Sequence, residues 1–153
     1  MRLTKQTNYA IRILMYCAAN EGQLSRVSEI AKAYSVSDLF LFKILKPLVD
    51  NGIVESIRGR NGGIKLAKPT HEITLLDVVQ LTEDNFAMAD CFDNDETNCP
   101  LLDYCALNSA LREALTAFFN VLEKHTIATL VADRPNITAL LGLDLIDVAP
   151  IKA

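Results

Sequence analysis

Residues 25–66 read SRVSEIAKAYSVSDLFLFKILKPLVDNGIVESIRGRNGGIKL. Val27, Ile30 and Ala31 share one face of a short helix that Ser25 is placed to cap and that reaches Tyr34. Ser35-Val36-Ser37 forms a tight turn. Ser37 then caps a second helix, whose apolar stripe is Leu41, Ile44, Leu45 and Leu48. Pro47 removes the hydrogen bond to the Lys43 carbonyl, so a kink or early fraying is expected there. After Asn51-Gly52 the pattern turns to a strand over Ile53–Ile57. Asn61-Gly62 is a hairpin signal, and the return strand is Ile64–Leu66.

On the N-terminal side, Thr4 caps a helix over about Lys5–Asn20, with Tyr9, Ile13, Tyr16 and Cys17 at helical spacing and Glu21-Gly22 at its end. Three helices followed by a hairpin make a winged helix-turn-helix over residues 1–68. On the C-terminal side, Thr74 caps a helix to about Leu81, and residues 83–98 read as an irregular acidic loop. Helical periodicity returns from about Leu101 to Lys124, where Leu107, Leu111, Ala114, Leu115, Phe118, Val121 and Leu122 make a broad apolar face. So wide a face on so small a domain suits pairing with a twin helix, the alternative being packing onto its own domain. The expected fold class is mainly α with a small β-hairpin wing: a winged helix-turn-helix plus a long C-terminal dimerisation helix. The expected divisions are a DNA-binding unit over 1–68, a connecting helix and cysteine-bearing loop over 69–105, a dimerisation helix over 106–135, and a tail over 136–153 with no assigned pattern.

At 153 residues and 50% hydrophobic, the chain can bury one core but not two large ones. Its net charge of −4 hides a split. Residues 1–68 carry 11 Lys/Arg and 5 Asp/Glu, a net +6, and residues 69–153 carry 4 and 14, a net −10. A polyanion partner is therefore expected for the first half alone. No apolar run reaches membrane-spanning length, and the N-terminus leads into an amphipathic helix instead of a signal-peptide core. A cytoplasmic location is expected, where thiols stay reduced.

In a helix-turn-helix the second helix enters the major groove N-terminus first. Its outward residues here are Ser37, Asp38, Leu39, Phe42 and Lys43. Lys43 suits guanine O6 or N7, and Phe42 suits a thymine methyl, although core membership for either Leu39 or Phe42 stands as the alternative. Ser28 and Lys46 suit phosphates. Arg58 and Arg60 flank the hairpin tip and fit an A·T-rich minor groove. Neither GxxxxGK[ST] nor GxGxxG occurs, nor a CxxC pair or nucleophile–base motif, so an enzymatic role is not expected.

Cys91, Cys99 and Cys105 are spaced C-x7-C-x5-C. Reduced cysteines at such spacing hold an iron–sulfur cluster, bind zinc, or form a thiol switch; the wide gaps depart from the tight pairs of structural zinc sites. Seven acids and no Lys or Arg lie between Glu83 and Asp103, so a cluster here is expected to be hard to reduce and easy to lose. Cys17, on an apolar helix face, reads as core, and His71 and His125 read as surface or structural residues.

The winged helix bearing Arg58-Gly59-Arg60-Asn61-Gly62-Gly63, followed by three clustered cysteines and a long helix, resembles the winged-helix iron–sulfur regulator family that includes IscR and NsrR. The likeness covers residues 1 to about 133, and the C-x7-C gap is most similar to its rhizobial iron-regulator branch, RirA. The resemblance implies an iron-responsive repressor: a homodimer that grips a pseudo-palindromic double-stranded operator under control of a cluster, most simply 4Fe–4S. The same ligands would serve a nitric oxide or redox sensor. Cys91, Cys99 and Cys105 match the ligating cysteines; residues 28–51 match the helix-turn-helix; the helix beginning near Leu101 matches the dimerisation helix, with Leu107, Leu111, Leu115, Phe118 and Leu122 facing the partner. Asn8 and Asn108 stand where relatives place an aspartate and a histidine, so the fourth ligand is unassigned.

Overall fold

The computed structural model describes residues 2–89, 92, 99–100, 105–132, 134 and 136–143. Helix α1 spans Lys5–Ala19, with the Thr4 hydroxyl accepting the Thr7 N–H. Helices α2 (Val27–Ala33) and α3 (Asp38–Asp50) follow, joined by a turn in which Ser35 adopts φ +53°. Ser37 caps α3 by accepting the Phe40 N–H at 3.2 Å. Strands β1 (Val54–Ile57) and β2 (Gly63–Leu66) pair antiparallel with Ile57 opposite Gly63. A 3₁₀ turn at Thr70–Glu72 leads to α4 (Leu75–Thr82); beyond the cysteine-bearing segment come α5 (Ala106–Lys124), α6 (Ile127–Ala132) and α7 (Ile137–Leu140). The fold is the expected one, mainly helical with a two-stranded wing.

The core is built around α1. Ile13 and Leu14 of α1, Ile30 of α2, Leu41, Ile44 and Leu48 of α3, and Val78 of α4 are all buried against one another. Helix α6 also closes on α1, with Ile127 fully buried. Backbone bonds across the junction hold this second layer. The Leu75 N–H donates to His125 O at 2.8 Å, and the Ile127 N–H donates to Ile73 O at 2.9 Å. His125 thus contributes its carbonyl, and exposed His71 sits 3.8 Å from Glu72.

Three local expectations change. Ser25 does not cap α2. It is fully buried and exchanges backbone bonds with Ile64 at 2.8 and 2.9 Å, adding a short third rung to the wing. Arg26 takes the N-cap position, and the Glu29 carboxylate reaches back to its N–H. Pro47 does not fray α3, which continues to Asp50, where the Asn51 side chain donates to Pro47 O at 2.9 Å. The wing tip is not a two-residue turn at Asn61-Gly62: five residues, 58–62, separate the paired strands, and the left-handed residue is Gly59 at φ +111°. A side chain at Gly62 would collide with the Ile57 carbonyl, and one at Gly63 would come within 2.8 Å of Ser25 O.

Candidate nucleic-acid interface and metal centre

The hairpin folds back beside α3 and leaves a groove of about 660 Å³ between them. Asp38, Phe42 and Lys46 line one wall, and Arg58, Arg60 and Ile64 line the other. Ser28 borders the same groove from α2. Leu39 and Lys43 stand exposed on the outward surface of α3, and Ser37 is exposed at its N-cap. The structure therefore groups all nine residues expected to face DNA around one helix and one wing.

Neither Leu39 nor Phe42 belongs to the core: they are 70% and 55% exposed. The aromatic that turns inward is Phe40, whose ring meets Tyr9 edge-on at 5.3 Å. Tyr9 also meets Tyr34 at 6.4 Å, and the Tyr34 hydroxyl donates to Arg12 O at 3.0 Å, fixing α2 to α1. Burial of the Tyr34 phenol pushes its pKa up to about 12 against the opposing pull of Arg12.

Among the described residues, the ion pairs are Lys46–Asp50 at 2.6 Å, Lys65–Glu55 at 3.2 Å and His71–Glu72, all exposed. Lys43, Arg58 and Arg60 have no acid within pairing distance among those residues. Exposed pairs such as Lys46–Asp50 contribute little and open readily toward a phosphate. The groove therefore presents its cations to a polyanion at little energetic cost.

The cysteines separate into two kinds. Cys17 is buried on α1, and burial pushes its thiol up to about 12 despite a hydrogen bond from Ser25. It is core, as its helix face implies. Cys99 is exposed, and Cys105 is half-buried at the N-cap of α5, its Sγ accepting the Asn108 N–H at 3.4 Å. Cys91 lies outside the described residues. Among the described residues no three metal-ligating side chains gather.

Phe92, next in the chain to Cys91, packs against the same helix. The Arg112 guanidinium lies 4.8 Å from its ring centre, and Arg112 Nε donates to Asn108 Oδ1 at 2.7 Å. One helical turn of α5 thus connects the neighbour of Cys91 to the backbone that caps with Cys105. A cysteine sulfur is a soft donor, and this donor chemistry suits a soft metal centre. Asn8 is exposed and Asn108 is engaged with Arg112.

Sequence reasoning missed the role of Glu83. Counted among the loop acids, it instead caps α1 from the end of α4. Its Oε1 accepts the Thr4 N–H at 2.7 Å and the Thr7 hydroxyl. Thr82 Oγ1 lies 2.8 Å from Thr7 Oγ1 and 2.7 Å from Val78 O. Burial raises the Glu83 pKa, but the bonds from Thr7 and Thr4 outweigh it and hold the carboxyl below its ordinary range. The segment that carries the cysteines therefore begins at a contact with the helix that supports α3.

Residues 3–133 match the Rrf2 family, described as an iron-dependent transcriptional regulator. The chain belongs to the Rrf2 family. Protein aau3 of Rhizobium meliloti (strain 1021) is 65% identical over 144 residues, covering 94% of each chain. The HTH-type transcriptional regulator NsrR of Bacillus subtilis (strain 168) is 41% identical over 144 residues, covering 94% of this chain and 99% of its own. The solved structure of T. potens IscR superposes with a TM-score of 0.70 at 19% identity, covering 87% and 88% of the two chains, and supports the fold. This Rrf2 protein is a DNA-binding transcriptional regulator. No helix among the described residues is long and apolar enough to cross a membrane.

Proposed function

We propose that this Rrf2 protein is an iron-responsive repressor, acting in the cytoplasm as a homodimer on a pseudo-palindromic operator. Cys91, Cys99 and Cys105 would hold an iron–sulfur cluster, most simply 4Fe–4S, which when bound supplies an iron-dependent crosslink between distant parts of the chain. The observation that carries the DNA half is the set of cations, Lys43, Arg58 and Arg60, that have no acid partner among the described residues and lie around the α3–wing groove. The cysteine half is supported by the contact of Phe92, the residue after Cys91 in the chain, with Arg112 of the helix that Cys105 caps.

Helix α5 supports the dimer. It has no buried residue; Leu107 is 64% and Val121 53% exposed, and Leu111, Leu115, Phe118 and Leu122 are only partly covered. Burying that face against a twin would give the two-fold pair of α3 helices that a pseudo-palindromic operator requires. In iron scarcity the three thiolates would lose their shared partner, leaving the chain between Glu83 and Cys105 held to α5 by side-chain contacts such as Phe92 with Arg112. Glu83 passes that change to α1, which packs on α3. DNA affinity then follows the difference in stability between the two arrangements.

Anaerobic purification tests the cofactor. A brown protein with broad absorption near ~400 nm, lost on changing any one of Cys91, Cys99 or Cys105 to alanine, supports thiolate-held iron and sulfide. A colourless protein with stoichiometric zinc refutes it.

A further inference from the structure

Leu39 and Phe42 project from the outward face of α3 at 70% and 55% exposure. Lack of space does not explain them, because Phe40 and Leu41, between them in the chain, both pack inward. Cations surround the pair: Lys43 and Lys46 on the same helix, Arg58 and Arg60 across the groove. An apolar centre with a cationic border complements a surface that is anionic at its edges and apolar on its floor. The major groove of DNA is such a surface, with phosphates along its rims and thymine 5-methyl groups inside. A second copy of this face would bring like charges together, so self-pairing through it is disfavoured.

Asp38 sharpens the placement. It is exposed in the first turn of α3 and lines the same groove. A carboxylate is repelled by phosphate but accepts a hydrogen bond from cytosine N4, so this end of the helix suits base edges better than backbone. Leu39 and Phe42, three residues apart, are separated by about 4.5 Å along the helix axis at 1.5 Å per residue. That separation is short enough for the two side chains to reach neighbouring base pairs, which are spaced ~3.4 Å apart.

We infer that Leu39 and Phe42 are specificity-determining residues that read the 5-methyl groups of thymines on two neighbouring base pairs in each operator half-site. This rests on the DNA-binding reading and adds the base feature recognised.

Thymine-to-uracil exchange tests it, since only the methyl is removed. The full-length protein, with and without its metal centre, is used to enrich a duplex from a random pool. Each thymine of that duplex is then replaced singly by deoxyuridine. At two neighbouring positions per half-site, each replacement should weaken binding about fourfold, the equivalent of burying one carbon. Leu39→Ala and Phe42→Ala should each abolish that preference at one of the two positions, while the salt dependence set by phosphate contacts stays unchanged. Both side chains are exposed, so truncation leaves the core intact. An enriched duplex indifferent to the exchange, or a preference that survives in both variants, overturns the inference while leaving DNA binding in place. Failure to enrich any duplex overturns both.

Discussion

Replacing Glu83 tests whether the start of the cysteine-bearing segment is fastened to α1. Glu83→Ala removes the acceptor of the Thr4 N–H at 2.7 Å and of the Thr7 hydroxyl. Hydrogen bonds to a charged group contribute about 1.5–3 kcal/mol each. Water can replace the exposed bond to Thr4, so that contribution is largely recovered. Thr7 is fully buried, and among the described residues its hydroxyl retains Thr4 Oγ1 at 3.0 Å and Thr82 as neighbours. The net loss should be about 2 kcal/mol, which for a chain of this size lowers Tm by about 4–8 °C. Glu83→Gln keeps an acceptor but loses its charge and should lose about half as much. The pH dependence gives the second readout. Because the folded-state pKa is depressed, the stabilisation is present above the ordinary carboxylate range and is lost as pH falls through the folded value. Thermal melts of wild type and Glu83→Gln should therefore differ at neutral pH and converge in acid. Equal melting temperatures at neutral pH, or a difference that persists unchanged in acid, would refute the fastening.

Three further outcomes follow from the geometry. Iodoacetamide should modify Cys99 and Cys105 of the native, metal-free protein but spare Cys17 until denaturant is added, since the Cys17 thiol is buried and its pKa is near 12; peptide mass spectrometry reads the result. Gly63→Ala should separate the wing from Ser25, because its new Cβ would lie 2.8 Å from Ser25 O, with a loss of about 1–3 kcal/mol in urea unfolding. Arg58→Ala and Arg60→Ala should each weaken binding to any duplex and lower the slope of log affinity against log salt by about 1 if they contact phosphate, as titrations at several salt concentrations would show.

Helices α1, α3 and α4 were legible because their signals are local. Thr4, Ser37 and Thr74 lie within three residues of the N–H groups they cap, and buried positions such as Leu41, Ile44, Leu45 and Leu48 repeat at helical period. What was misread depends on distant partners. Ser25 has the chemistry of a cap, and only Ile64, far along the chain, turns it into a strand residue. Glu83 looked like one more solvated acid because Thr4 and Thr7 lie 79 and 76 residues away. Asn61-Gly62 favours a tight hairpin, yet the register of β1 with β2 and the approach of Gly62 to Ile57 demand a longer tip. Leu39 and Phe42 sit beside buried positions on α3, so periodicity alone left open which apolar residue belonged to the core. The cysteine spacing was readable at once, whereas the Phe92–Arg112–Asn108 contacts that lead to Cys105 require the folded chain.

The most direct test of iron control is the operator affinity of one full-length preparation, measured anaerobically at fixed salt before and after iron is removed by a chelator. A change of about tenfold or more, equivalent to about 1.4 kcal/mol between the two states, is expected, and it should disappear when Cys91, Cys99 or Cys105 is replaced by alanine. Equal affinity before and after iron removal would contradict control of DNA binding by the cysteine centre.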